Sequence, residues 1–241
     1  NTGQFVLGMY GGTAAIAVFA VAIQLSVLYM SFSTSISGVF LPKVTAMVAS
    51  QSDQKEISDL FIRTGRIQYI VMAFILSGFV VFGRPFIRLW AGAGYEDAYG
   101  ISLLFFISLT IPMIQNLGIT ILQARNRMKF RSLLYLVIAF VSLYFQFVLA
   151  KQYGGLGCAI AISAALLVGQ GLIMNVYYHR RQGLDLILFW KEIGRMSVIP
   201  FILGVSAFWL LRDAVWENWF QLGLGIGIYT LVYLPLFFHY S

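Results

Sequence analysis

The sequence predicts an all-α, polytopic membrane protein with about seven transmembrane helices, and three observations carry that prediction. Of 241 residues, 60% are hydrophobic and 10% charged, against roughly 45 to 50% and 25% in soluble globular chains. Apolar runs near twenty residues long recur between short charged connections, enough to cross a hydrocarbon core of about 30 Å as helices. Stretches such as LLYLVIAFVSLYFQFVLA are apolar on every face, unlike the alternating strands of a barrel, the other structure that satisfies its backbone in lipid.

Residues 1–12, NTGQFVLGMYGG, read as the end of a preceding helix and a glycine-rich turn. Asn1 stands where a methionine would start a chain, and Ser241 follows directly on an apolar run, so residues 1–241 are expected to be a single bundle within a longer protein. Seven apolar segments follow: 14–41, 67–83, 98–122, 132–150, 156–178, 196–211 and 219–238. Between the second and third, RPFIRLWAGAGYEDAYG holds Pro85, Trp90, Gly92 and Gly94 and reads as an interfacial elbow, with aromatic residues at the border. The sixth segment is short, and snorkelling of Arg195 and Arg212 lets it span.

Alternate connections differ in charge. Lys43, Lys55, Arg63, Arg66, Arg125, Arg127, Lys129, Arg131, Arg180, Arg181, Lys191 and Arg195 fall on one side; Arg84, Arg88, Lys151 and Arg212 fall on the other. Twelve against four places the first side in the cytoplasm under the positive-inside rule. Residues 1–12 then lie outside and Ser241 near the cytoplasmic face. On the cytoplasmic side, SDQKEISDLFIRTGR reads as a solvated helical extension capped by Ser52, with Asp53 and Glu56 in its first turn. HRRQGLDLILFWKEIGR reads as amphipathic, with Leu184, Leu188 and Trp190 available to the interface and its basic residues to headgroups.

The polar content of the helices is amide and hydroxyl. In the first segment Gln24, Ser31, Ser35, Gly38 and Pro42 are spaced by seven, four, three and four, which puts them on one helical face. Two readings stay open: hydroxyls bonded to their own backbone with small residues admitting a neighbouring helix, or a stripe lining a hydrated cavity. Gln115, Asn116, Gln146, Gln170 and Asn175 add further amides. Gly157, Ala161, Ala165 and Gly169, at intervals of four, predict a tight packing face. Gly223, Gly225 and Gly227 follow no strand, so a nucleotide-binding loop is not expected there.

The nine acidic residues all sit in connections, whereas proton or sodium coupling usually uses an intramembrane carboxylate. Cys158 has no cysteine partner, and His179 and His239 have no acidic or histidine partner at ligand spacing. No catalytic residue, enzyme activity, metal, cofactor or nucleic-acid partner is expected; the coupling ion is left open. Arg125, Arg127, Lys129 and Arg131 cluster in QARNRMKFRS. They serve either topology and anionic-lipid contact or a cationic mouth for a phosphate headgroup.

A VLG opening (Val6, Leu7, Gly8) followed by Ala17, Ala20 and Ala22, a hydroxyl-rich helix ending in a proline, RPFIRLWAGAGYEDAY, ILQARNRMKFRS and YGGLGCAIAI follow in order. Together they resemble the C-terminal half of a polysaccharide repeat-unit flippase of the Wzx type, in the MOP superfamily with the lipid II flippases and the MATE exporters. The resemblance covers essentially residues 1–200. It implies two pseudo-symmetric bundles around a central cavity, of which this chain is one and a missing N-terminal half the other. It also implies alternating-access transport of undecaprenyl-diphosphate-linked oligosaccharide, for polysaccharide biosynthesis, across a bacterial cytoplasmic membrane. Relatives often carry an acidic residue just before the VLG opening, where this chain has Gly3. On that reading Gln24, Ser31, Ser35, Gln115 and Asn116 line the cavity, Arg125, Arg127 and Lys129 form a phosphate entrance, and Pro42 and Pro112 flex. Other partners are membrane lipids. The alternatives are a MATE-type cation-coupled exporter, a lipid II flippase, a membrane glycosyltransferase or polymerase, and a non-transport membrane subunit.

Overall fold

In the computed structural model the described residues are 2–10, 12–211, 214 and 216–240, with the backbone alone for 238–240. Expectations for Asn1, Arg212, Asp213, Ser241 and the His239 side chain lie outside the described residues. Every regular element among the described residues is helical: α1 (Thr2–Tyr10), α2 (Gly12–Ala49), α3 (Gln54–Trp90), α4 (Ala98–Ile114), α5 (Asn116–Ala124), α6 (Lys129–Leu166), α7 (Met174–Gln182), α8 (Leu186–Leu211) and α9 (Trp219–Tyr240). A 3₁₀ turn at Ala93–Tyr95 precedes α4, and a π-helical turn at Leu167–Ile173 joins α6 to α7. Five helical stretches are long and apolar enough to cross a membrane, and α4 with α5, bent by 40° at their break, makes a sixth. Phe140 is 71% exposed, Phe220 79% and Leu210 82%, surfaces that lipid covers and water does not. The chain is a multi-pass, all-helical membrane protein.

The boundaries differ from the apolar runs for physical reasons. Helix α3 begins at Gln54, so the helical extension expected ahead of the 67–83 segment is present; its cap is Asp53 rather than Ser52, the Asp53 carboxylate accepting from the Lys55 amide at 3.4 Å. Its extension is less solvated than expected, because Ile57, Phe61 and Thr64 are buried; Phe61 packs against Phe189 of α8 at 5.1 Å between ring centroids. Helix α8 begins at Leu186; of the side chains expected at the interface Leu188 is exposed, whereas Leu184, just before the helix, is buried within the protein. At 26 residues the helix is roughly 39 Å long, its first ten residues carrying Lys191, Glu192 and Arg195 ahead of the uncharged 196–211 stretch.

The segments 132–150 and 156–178 lie in one helical run that reverses at Gly154, whose φ of 54° and ψ of −130° suit only glycine. Beyond it Gly157 backs directly onto the Leu149 carbonyl and Gly169 onto the Ile138 side chain. Residues eight and thirty-one apart meet this way only if the two legs run antiparallel, so the small-residue face packs the hairpin onto itself. Helix α3 is the centre of the bundle, touching α2, α4, α8 and α9, while α1 packs on α2 and the hairpin. Its core is aromatic: Tyr29 stacks on Phe106 at 4.2 Å.

The connections divide by end. Gln54, Arg125 and Gln182 meet at one end. At the other, Arg84 lies over the Tyr99 ring, Lys151 over Tyr10, and Arg88 pairs with Glu96 at 3.9 Å.

Candidate functional site

The polar stripe of α2 faces outward. Gln24, Ser31, Ser35, Gly38 and Pro42 are all exposed, and nothing lies within 4 Å of where a Gly38 side chain would start. Ser31 donates to the Leu28 carbonyl at 2.6 Å and Ser35 to the Ser31 carbonyl at 2.8 Å, so each hydroxyl satisfies its proton inside its own helix and keeps lone pairs for a visitor. Helix α2 stays helical through Pro42 to Ala49.

The opposite face carries a polar joint that sequence reasoning missed. Gln68, fully buried on α3, donates through Nε2 to the Ser33 carbonyl (3.1 Å), the Ser33 hydroxyl (3.0 Å) and the Ser37 hydroxyl (2.6 Å). Ser33 in turn donates to the Met113 carbonyl at 2.6 Å, beside the α4–α5 break. Pro112 is buried just before that break, at Gln115, where the φ of −108° and ψ of 14° leave the helix. A proline removes one rung of the ladder and hinders the turn before it, and at the break the Met113 carbonyl accepts from both the Gln115 amide and the Ser33 hydroxyl. The signal for Gln68 was faint: one amide at the edge of an apolar run, with hydroxyls at Ser33 and Ser37 four residues apart.

Gln115 and Asn116 part company at the break. Gln115 is buried, and its Nε2 donates at 2.8 Å to the Asn175 side-chain oxygen, which also accepts from the Trp190 indole at 2.7 Å. This places Gln115 inside the packing among α4, α7 and α8, apart from Gln24, Ser31 and Ser35. It also turns Trp190 into the protein rather than toward an interface. Asn116, half-buried, opens α5, which packs on α2.

The expected phosphate entrance also divides. Arg125 is a brace: its guanidinium donates to the Gln182 carbonyl at 2.9 Å and to the Gln54 side-chain oxygen at 2.6 Å. Gln54 returns donors to the Gln182 and Gly183 carbonyls. Burial, then the neighbouring Arg127, push the Arg125 guanidinium below its ordinary value; the surrounding oxygens hold its charge in place. Arg127 and Lys129 are exposed, Arg127 with one long contact of 3.5 Å to the Arg181 carbonyl.

At the other end a cavity of about 640 Å³ opens among Arg84, Glu96, Asp97, Tyr99 and Tyr153. Among the described residues no group of three or more His, Cys, Asp or Glu side chains is arranged to hold a metal. No family model, curated protein or solved structure matches the chain.

Proposed function

We propose that the chain is one bundle of a bacterial cytoplasmic-membrane flippase, moving undecaprenyl-diphosphate-linked oligosaccharide repeat units for polysaccharide assembly. On this reading it crosses the membrane seven times: α2, α3, the bent α4–α5 pair, the two legs of 129–182, α8 and α9. The sequence resemblance supplies the substrate class. The observation that carries the site is the stripe of Gln24, Ser31 and Ser35, exposed along one face of α2. Amides and hydroxyls suit sugars because they donate and accept without the desolvation cost of a charge. A second bundle facing this stripe encloses a polar path, with Asn116 at its edge and Pro112 as its flexing point. Arg127 and Lys129 are exposed cations at the basic end, and Arg125 holds the loop that presents them.

A non-transport subunit is the second reading, favoured by the backbonding of Ser31 and Ser35, which also occurs where one helix simply packs on another. Two experiments separate them. The gene for the longer protein should restore surface polysaccharide to a strain lacking its repeat-unit flippase; failure at normal protein level overturns the substrate assignment. Single cysteines at Ser31 and Ser35, in a Cys158→Ala background, should react with a water-soluble thiol reagent while one at Val44, buried on the same helix, does not. Equal protection of all three sinks the hydrated stripe.

A further inference from the structure

The hairpin of residues 129–182 carries an apolar groove that the transport reading leaves unused. Between its legs runs an apolar groove of about 270 Å³, walled by Val141, Phe145, Ala161 and Ala165, with Leu134 and Ile173 towards one end and Leu149 at the other. Leu149 lies fifteen residues beyond Leu134, roughly 22 Å of helix, which exceeds the roughly 15 Å of hydrocarbon in one leaflet. The groove opens sideways, where a membrane offers acyl chains.

Basic residues precede the Leu134 end of the groove in the first leg and follow its Ile173 end in the second. Arg131 stands one turn before Leu134, and Phe130 stacks on Tyr177 with centroids 4.2 Å apart, which clamps the two legs together there. The Arg131 guanidinium lies over the Tyr135 ring at 4.6 Å and donates from Nη2 to its hydroxyl at 3.1 Å, while Nε has no partner. Because Nε is buried, what the half-buried fork can offer a ligand are its terminal nitrogens, Nη1 and Nη2, one turn from the Leu134 end of the groove. Lys129, Arg180 and Arg181 are exposed around it. No Asp or Glu occurs anywhere from Ala98 to Leu184, and the two ion pairs among the described residues, Arg66–Glu192 and Arg88–Glu96, involve none of these cations. None of these cations has an ion-pair partner among the described residues.

We infer that this hairpin binds an anionic phospholipid of the surrounding bilayer, with one acyl chain in the groove and the headgroup phosphate held by Arg131 and Lys129. A guanidinium fork matches two phosphate oxygens at once, and the ammonium adds a mobile second charge. A free anion has no use for an apolar groove, and a zwitterionic lipid leaves the cation cluster unanswered. The site shares Lys129 with the proposed entrance but takes nothing from the α2 stripe, and it stands whether or not the chain moves oligosaccharide.

The test is lipid retention by the purified chain in native mass spectrometry, after exchange into micelles containing equal phosphatidylglycerol and phosphatidylcholine. The wild type should retain phosphatidylglycerol preferentially. Lys129→Gln with Arg131→Gln should lower that preference about thirtyfold, since each surface cation near anionic lipid is worth about fivefold. Ala164→Phe, which fills the groove from its exposed side and leaves every cation in place, should reduce retention as well. Lys151→Gln, at the opposite end of the leg, should change nothing, and circular dichroism checks that each variant is folded. Equal retention of the two lipids, or a preference unchanged in the double variant, overturns the inference. So does inorganic phosphate raising the unfolding temperature as much as phosphatidylglycerol does, with no effect of Ala164→Phe: that result marks a free-anion site.

Discussion

Gln68 has no water to turn to, so its amide must find partners across a helix interface. It finds them on Ser33 and Ser37, and its own Oε1 stays unpaired. Removing a buried donor strands the oxygens it served, at about 1–3 kcal/mol per stranded group in soluble proteins and often less between membrane helices. Gln68→Leu should therefore lower the unfolding midpoint in detergent by an amount equivalent to about 1–2 kcal/mol, because the orphaned Oε1 disappears with the amide and offsets part of the loss. Ser37→Ala should cost less, since Ser33 still accepts from Gln68. A midpoint unchanged in Gln68→Leu contradicts the role given to this joint. Arg125 makes a parallel case at the basic end. It is only half-buried, so Arg125→Ala should cost no more than about 1 kcal/mol, yet it should expose the 125–128 loop to faster protease cleavage. Loop cleavage at the wild-type rate would show that the brace holds nothing.

At the scale of the element, the hairpin turns on a backbone conformation. Gly154 has φ 54° and ψ −130°, which costs any other residue about 1–3 kcal/mol, and the legs cannot relax because Gly157 and Gly169 lock them together. Gly154→Ala should lower the unfolding midpoint clearly. Gly194→Ala, in the helical backbone of α8 with open space around it, should leave it unchanged or raise it. Equal effects of the two substitutions sink the argument. This turn was legible in the sequence, because Lys151 and the Gly154–Gly155 pair interrupt the apolar run. The helical extension that opens α3 was legible too, from Asp53 and Glu56 at its start, but the burial of that extension and of the start of α8 was not. Arg63, Arg66 and Lys191 mark those stretches as polar, whereas their other faces, through Phe61 and Phe189, bury against each other. The α2 stripe was readable because it needs only the helical period. The Gln68 joint was not, since which residues thirty-five positions apart meet across an interface is decided by packing. Gln115 shows the same limit: spacing marked it as an intramembrane amide, and only the break at its own backbone turns it toward Asn175.

At the scale of the molecule, charge and hairpin geometry make one prediction together. The first leg begins at Lys129, beside the brace of Arg125, Gln54 and Gln182, and ends near Lys151, which lies over Tyr10 at the opposite end of the bundle, 5.6 Å from the ring centroid. Between them every position from 132 to 150 is uncharged, and the leg of about twenty-two residues is roughly 33 Å long, the thickness of a hydrocarbon core. If that leg spans, Lys129 and Lys151 lie on opposite sides of the membrane. The excess of Lys and Arg at the Lys129 end then sets which side is cytoplasmic. Cysteines placed singly at Lys129 and Lys151, with Cys158→Ala as background, should respond oppositely to a membrane-impermeant thiol reagent in intact cells. The Lys151 position should label from outside, and the Lys129 position only after the membrane is opened. Labelling of both from the same side would make the 129–182 hairpin re-entrant and would remove two of the seven proposed crossings. Labelling from opposite sides in the reverse sense would keep the bundle and overturn its orientation.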